Sequence, residues 1–139
     1  MRIRNILIAG SLGLLFFFTG CKKIDKNIVG SWDYQTMGNT SIKNAMWIFK
    51  NDGVLIRNYW SPQGNLYSDT CVYTVKTNLF KKELTIKYGK ILSIGVPDVS
   101  GVYKIENFDN DKMILTRSKL DNGSKSAAYL RCEMKKIKG

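Results

Sequence analysis

The sequence contains no histidine. That absence removes the commonest general base and the commonest transition-metal ligand together. Ser–His–Asp and Cys–His nucleophile activation are excluded with them. Acidic residues are half as numerous as basic ones, 11 against 22. Asp33, Asp52, Asp69, Asp98 and Asp121 are expected at turns or on outward, hydrated strand positions, so no pair of carboxylates stands ready for acid–base work. An enzyme is not expected, and neither a metal nor a cofactor. No window keeps helical spacing over its length. No apolar run reaches the roughly 18 to 20 residues that a bilayer-spanning helix needs. At 139 residues there is room for one core and no second domain.

What is present begins with a leader. Met1 to Asn5 is short and positively charged, and Ile6 to Phe18 is an apolar stretch of 13 residues. It ends in Phe18-Thr19-Gly20-Cys21. This resembles the lipobox of bacterial lipoproteins, in which small residues before an invariant cysteine admit the lipoprotein signal peptidase. The resemblance implies that residues 1–20 are removed and that Cys21 becomes the acylated first residue, carrying diacylglycerol and a further fatty acyl chain such as palmitate. Two or three chains anchor durably where one binds only marginally. Lys22 follows the cysteine where inner-membrane retention would use Asp, so the resemblance implies the outer membrane, on either its periplasmic or its surface face. Residues 22–27 read as a charged tether. Loss of Arg2 and Arg4 leaves 20 basic against 11 acidic residues, a surplus of nine. An address outside the cytoplasm, together with lysines scattered over strand positions, argues against a nucleic-acid partner.

From Ile28 onward, apolar and polar residues alternate with period two between turn signals. Eight strands are expected, over 28–36, 43–50, 54–60, 70–77, 83–88, 101–106, 112–118 and 127–135. Asn51-Asp52-Gly53 and Asp121-Asn122-Gly123 supply positive-φ positions for tight turns. The expected inward faces include Ile28, Gly30, Trp32, Tyr34, Trp47, Phe49, Cys71, Tyr73, Val75, Leu84, Ile86, Tyr88, Tyr103, Ile105, Met113, Leu115, Leu130, Cys132 and Met134. Eight short strands with one wet side are best satisfied by closing the sheet. The fold class is therefore all-β, an eight-stranded antiparallel up-and-down (meander) barrel over residues 28–139.

Ile28-Val29-Gly30-Ser31-Trp32, Trp47-Ile48-Phe49 before Asn51-Asp52-Gly53, Tyr73-Thr74-Val75, Leu84-Thr85-Ile86, Tyr103-Lys104-Ile105, Met113-Ile114-Leu115-Thr116 and Tyr129-Leu130 together resemble the lipocalin-like domains of Bacteroidetes lipoproteins. The resemblance covers nearly all of the chain after Cys21. It implies that Trp32 closes one end of the barrel, with Gly30 making room beside it. It also implies a late arginine packed across the indole, either Arg117 or Arg131, although alternation points Arg131 outward. The implied function is binding of a small apolar or amphipathic molecule at the cell envelope. The alternative is a protein-interaction module, an envelope-assembly accessory or an inhibitor of a secreted enzyme, with a filled barrel and a loop-based surface.

Trp47, Phe49, Trp60, Tyr73, Tyr88 and Tyr103 are candidate cavity walls, and the same residues equally serve to fill the interior. Cys71 and Cys132 either form a disulfide, which an oxidising compartment permits, or remain two buried thiols. Residues 89–100 are either a lid or partner surface, or a flap packed on the core. Asp109-Asn110-Asp111 carries calcium-type oxygens without the rest of a calcium loop and reads as a turn.

Overall fold

Period-two alternation makes a ribbon with one greasy face, and such a ribbon is stable only where that face is covered and its edges are paired. The computed structural model describes residues 24–36, 45–88, 98–126 and 130–139. A one-turn helix, α1 (Ile24–Asn27), leads into β1 (Gly30–Thr36), β2 (Ala45–Phe49), β3 (Val54–Trp60), β4 (Leu66–Thr77), β5 (Lys82–Lys87), β6 (Gly101–Phe108), β7 (Lys112–Lys119) and β8 (Arg131–Lys136). Each strand pairs antiparallel with the next, and β1 pairs with β8, so the sheet closes into the expected up-and-down barrel. The expected signal peptide and lipidation site Cys21, residues 89–97 of the long connection and residues 127–129 lie outside the described residues.

The turns set the registers. At Asn51-Asp52-Gly53 the Asp52 carboxylate accepts the Val54 N–H at 3.1 Å, and Gly53 takes φ +83°. This sets Phe49 opposite Leu55. The chain turns over Ser61–Asn65, with the Ser61 N–H bonded to the Asn65 carbonyl at 2.9 Å. β4 therefore starts at Leu66, four residues earlier than the alternation suggested, and pairs Leu66 with Trp60. Asp109 caps its turn by accepting the Asp111 and Lys112 N–H groups at 3.0 and 2.7 Å, which is the plain-turn reading of that acidic cluster.

Ile28 ends a helical turn rather than starting a strand, since its N–H bonds to the Ile24 carbonyl at 2.8 Å. Ile24 and Ile28 are both buried. The segment read as a tether is thus folded from Ile24 onward.

Strand alternation brings α1, the β2–β3, β4–β5 and β6–β7 turns and the C-terminus to one end of the barrel. Trp32 fills that end, wholly buried, with its indole N–H donated to the Ile28 carbonyl at 2.8 Å. Phe108 lies 6.0 Å away, ring to ring. The cation across the indole is Lys136 of β8, its ammonium 5.2 Å from the ring centroid and bonded to the Asn27 carbonyl at 2.8 Å. Neither arginine implied by the resemblance takes that place. Arg131 points outward to Glu106 at 2.8 Å, and Arg117 bonds the Asp98 carbonyl at 2.8 Å near the other end. Gly30 has φ +129°, and a Cβ there would come within 3.1 Å of the Lys136 stem, so the glycine leaves the groove in which that stem lies.

Truncating this plug leaves a void that the ring cannot collapse to fill. Trp32→Ala is expected to lose roughly 3–5 kcal/mol in urea unfolding. Trp60→Ala, on the outer face, should lose about 1 kcal/mol or less.

Candidate functional site

Trp47, Phe49, Tyr73 and Tyr103 do point into the barrel, and they meet there. Tyr34 stacks on Trp47 with centroids 4.8 Å apart and planes 6° from parallel. Phe49 meets Tyr73 edge-on at 5.0 Å. The polar tips are all used. Trp47 Nε1 donates to Tyr59 Oη at 3.2 Å, Tyr73 Oη to the Lys50 carbonyl at 2.6 Å, and Tyr103 Oη to the Val99 carbonyl at 2.6 Å. A void wide enough for one water would leave exposed surface on its lining. Trp47 and Tyr103 are 0% exposed and Tyr59 is 2% exposed. Among the described residues, the aromatic groups at mid-barrel pack against one another with almost no accessible surface left between them.

Two interior residues escaped the sequence reading. Arg57 is 0% exposed and Asp69, expected on a hydrated position, is 9% exposed. They face each other directly across β3 and β4. Arg57 Nε donates to Asp69 Oδ1 at 2.7 Å and Nη2 donates to Oδ2, so the contact is bidentate. Nη1 donates to Tyr59 Oη at 3.3 Å, and the guanidinium carbon sits 5.6 Å from the Tyr59 ring centroid. Burial alone would lower the Arg57 pKa, but the hydrogen bonds to Asp69 and the neighbouring Tyr59, Cys71 and Asp69 hold it above its ordinary value. Burial pushes Tyr59 up to about 12, against the opposing pull of Arg57 and the Trp47 hydrogen bond. The signal for this pair was available. The Asn51-Asp52-Gly53 turn sets Phe49 against Leu55, and counting by two from Leu55 reaches Arg57 and Tyr59. Counting back by two from Cys71 reaches Asp69.

The remaining expected wall residues are elsewhere. Tyr88 adopts φ +64°, which ends β5 at Lys87, and its side chain is 70% exposed; it is not a wall. Trp60 follows inward Tyr59 and so faces out, half-buried. It borders an outer hollow of about 490 Å³ with Asp33, Met46, Pro62 and Ile137. Cys71 and Cys132 are both free and buried, which corrects the disulfide alternative. β4 and β8 stand four strands apart whichever way the ring is counted, too far for bonding geometry. The Cys132 thiol instead donates to Tyr34 Oη at 3.5 Å, and Cys71 Sγ lies 3.9 and 4.0 Å from the Asp69 oxygens. Among the described residues no group of three or more His, Cys, Asp or Glu gathers to hold a metal ion.

Arg57→Leu strands a buried carboxylate and is expected to lose about 3–5 kcal/mol in denaturant unfolding. Arg57→Leu with Asp69→Leu should recover most of that loss. Burial raises both thiols from 9.0 to about 11. Their neutral forms are the ones the fold favours, so this stability is complete below pH 9 and is lost as pH rises through about 11. Melting temperature should fall across that alkaline window. Both thiols should resist Ellman's reagent at pH 8 and react once guanidinium unfolds the chain.

No protein-family model matches the sequence, and no curated protein does. Solved structures do resemble it. A lipocalin-like protein from Bacteroides uniformis aligns over 80% of this chain and 99% of its own, at 16% identity and a TM-score of 0.51. An uncharacterized protein from Bacteroides eggerthii aligns over 78% and 98%, at 15% identity and a TM-score of 0.46. Japanin from Rhipicephalus appendiculatus, solved bound to cholesterol, aligns over 78% and 75%, at 12% identity and a TM-score of 0.48. The likeness to the Bacteroides uniformis protein places this chain's fold: a closed, eight-stranded, lipocalin-like β-barrel.

Proposed function

We propose that this is a non-catalytic binding protein of the bacterial cell envelope, held by lipid on Cys21 at the outer membrane, that recognises a protein partner through its loops and outer face. The observation that carries this reading is the packed mid-barrel. Trp47, Arg57 and Tyr103 are 0% exposed and Tyr59 is 2% exposed, so an apolar cargo would have to displace side chains whose polar groups are already bonded. Support for the address comes from the Thr19-Gly20-Cys21 lipobox and Lys22. The basic surplus of the mature chain argues against strongly cationic partners.

One observation favours a second reading, a small apolar or amphipathic ligand. The outer hollow at Trp60, at about 490 Å³, falls within the roughly 300–1,000 Å³ usual for small-molecule sites, and its apolar walls Met46, Pro62 and Ile137 meet the Asp33 carboxylate.

Trp60 separates the two. In a Trp60→Phe variant, only the buried Trp32 and Trp47 emit, and titration with fatty acids, retinoids and haem is expected to leave their fluorescence unchanged. A response in this variant overturns the filled-barrel reading. A response seen in the unaltered protein and lost in the variant places a ligand in the outer hollow.

A further inference from the structure

The most exposed large apolar side chains among the described residues are neighbours at one hairpin tip. Leu79 is 89% exposed and Phe80 is 92% exposed, in the turn between β4 and β5. The turn is well built. Asn78 Oδ1 accepts the Phe80 and Lys81 N–H groups at 3.0 and 2.7 Å, and the Asn78 N–H bonds to the Lys81 carbonyl at 2.9 Å. Two large apolar groups are thereby held out in water on a fixed loop, an arrangement that costs solubility unless something covers them.

The surroundings indicate what covers them. Lys76, Lys81 and Lys82 are exposed around the tip, and Lys104 borders the shallow hollow beneath it; the acidic group there is Glu83, half-buried opposite Lys76. Apolar tips ringed by lysines match the boundary of an anionic bilayer, where aromatic and aliphatic groups reach the acyl region and ammonium groups meet phosphates. Position agrees. Helix α1 packs against β4, at the same end of the barrel as this turn. Cys21 lies three residues before Ile24, within about 11 Å at full extension. The other groups at this end are more mixed: Asp25 and Lys26 on α1, Asp52 and Lys50 at the β2–β3 turn, and Asp111 paired with Lys138 at 3.3 Å. The apolar and basic characters coincide at the β4–β5 tip.

We propose that the β4–β5 tip is a membrane-seating element, in which Leu79 and Phe80 enter the headgroup–acyl boundary of an anionic bilayer while Lys76, Lys81 and Lys82 contact its phosphates. With the anchor attached three residues before α1, at the same end of the barrel, this second contact stands the barrel on its Trp32 end and turns the opposite end to solvent. The orientation rests on the anchoring reading given above; the affinity of the tip for lipid does not.

The test uses residues 22–139, which contain every described element and lack Cys21. This chain should sediment with vesicles of equal parts phosphatidylglycerol and phosphatidylcholine, and about tenfold less with phosphatidylcholine alone. Leu79→Ser with Phe80→Ser, and separately Lys81→Glu with Lys82→Glu, should each weaken binding about tenfold or more, with unchanged melting temperature because the positions are exposed. Phe80→Trp should add a blue-shifted emission on vesicles that brominated lipid quenches. Absence of binding to the anionic vesicles, binding that survives the double serine change, or concentration-dependent dimerisation abolished by that change would each overturn the proposal. Mass spectrometry of Cys21 in the membrane-extracted protein judges the anchor separately. Vesicle binding by the tip stands without acylation, and an acylated Cys21 does not rescue a tip that fails to bind.

Discussion

The ladder between β1 and β8, running from Trp32–Lys136 to Thr36–Cys132, is the constraint on which the rest of the molecule depends. Closing eight strands fixes the interior at a width that side chains can just fill. Every inward residue then competes for the same space, and a chain rich in Trp and Tyr at inward positions leaves little of it. Closure also removes the two strand edges through which an open sheet of this length would pair with its neighbours. Without that ladder Trp32 would have no end to plug, and Lys136 would have no indole to cross.

A filled barrel with a buried ion pair is not the most stable way to fill a barrel. Apolar side chains of equal volume would avoid desolvating Arg57 and Asp69. What the pair adds is a directional contact between β3 and β4, tied through Tyr59 to Trp47 on β2. A one-residue slip of either strand would turn the guanidinium or the carboxylate out to water and orphan the other, so the pair specifies register where Val54-Leu55-Ile56 alone does not. By contrast, the outer pairs of Lys112 and Arg131 with Glu106 and Glu133 sit in water and contribute little.

The two ends of the barrel differ in kind. One is sealed by Trp32, Ile28 and Ile24 and carries the apolar β4–β5 tip. At the other, Val99 is tucked under the rim against Tyr103 while Trp60 and Tyr88 face outward.

Much of this was legible in one dimension. Alternation marked all eight strands and Asn51-Asp52-Gly53 marked the turn between the second and third, because these depend on neighbours along the chain, whereas Trp32 as the plug was implied by the family resemblance. The charged residues misled for a physical reason. A lysine or aspartate reads as outward unless its cross-strand partner is known, and Arg57 and Asp69 are 12 residues apart, joined only by the β3–β4 register. The fate of the thiols was likewise a matter of distance across the ring. Which cation would cross Trp32, and whether the aromatic groups would line a space or occupy it, could be decided only when every strand had been placed. By itself the sequence determined the class of fold and the period of each strand, both of them local patterns. Tertiary structure decided what meets inside, because those contacts depend on how the last strand returns to the first.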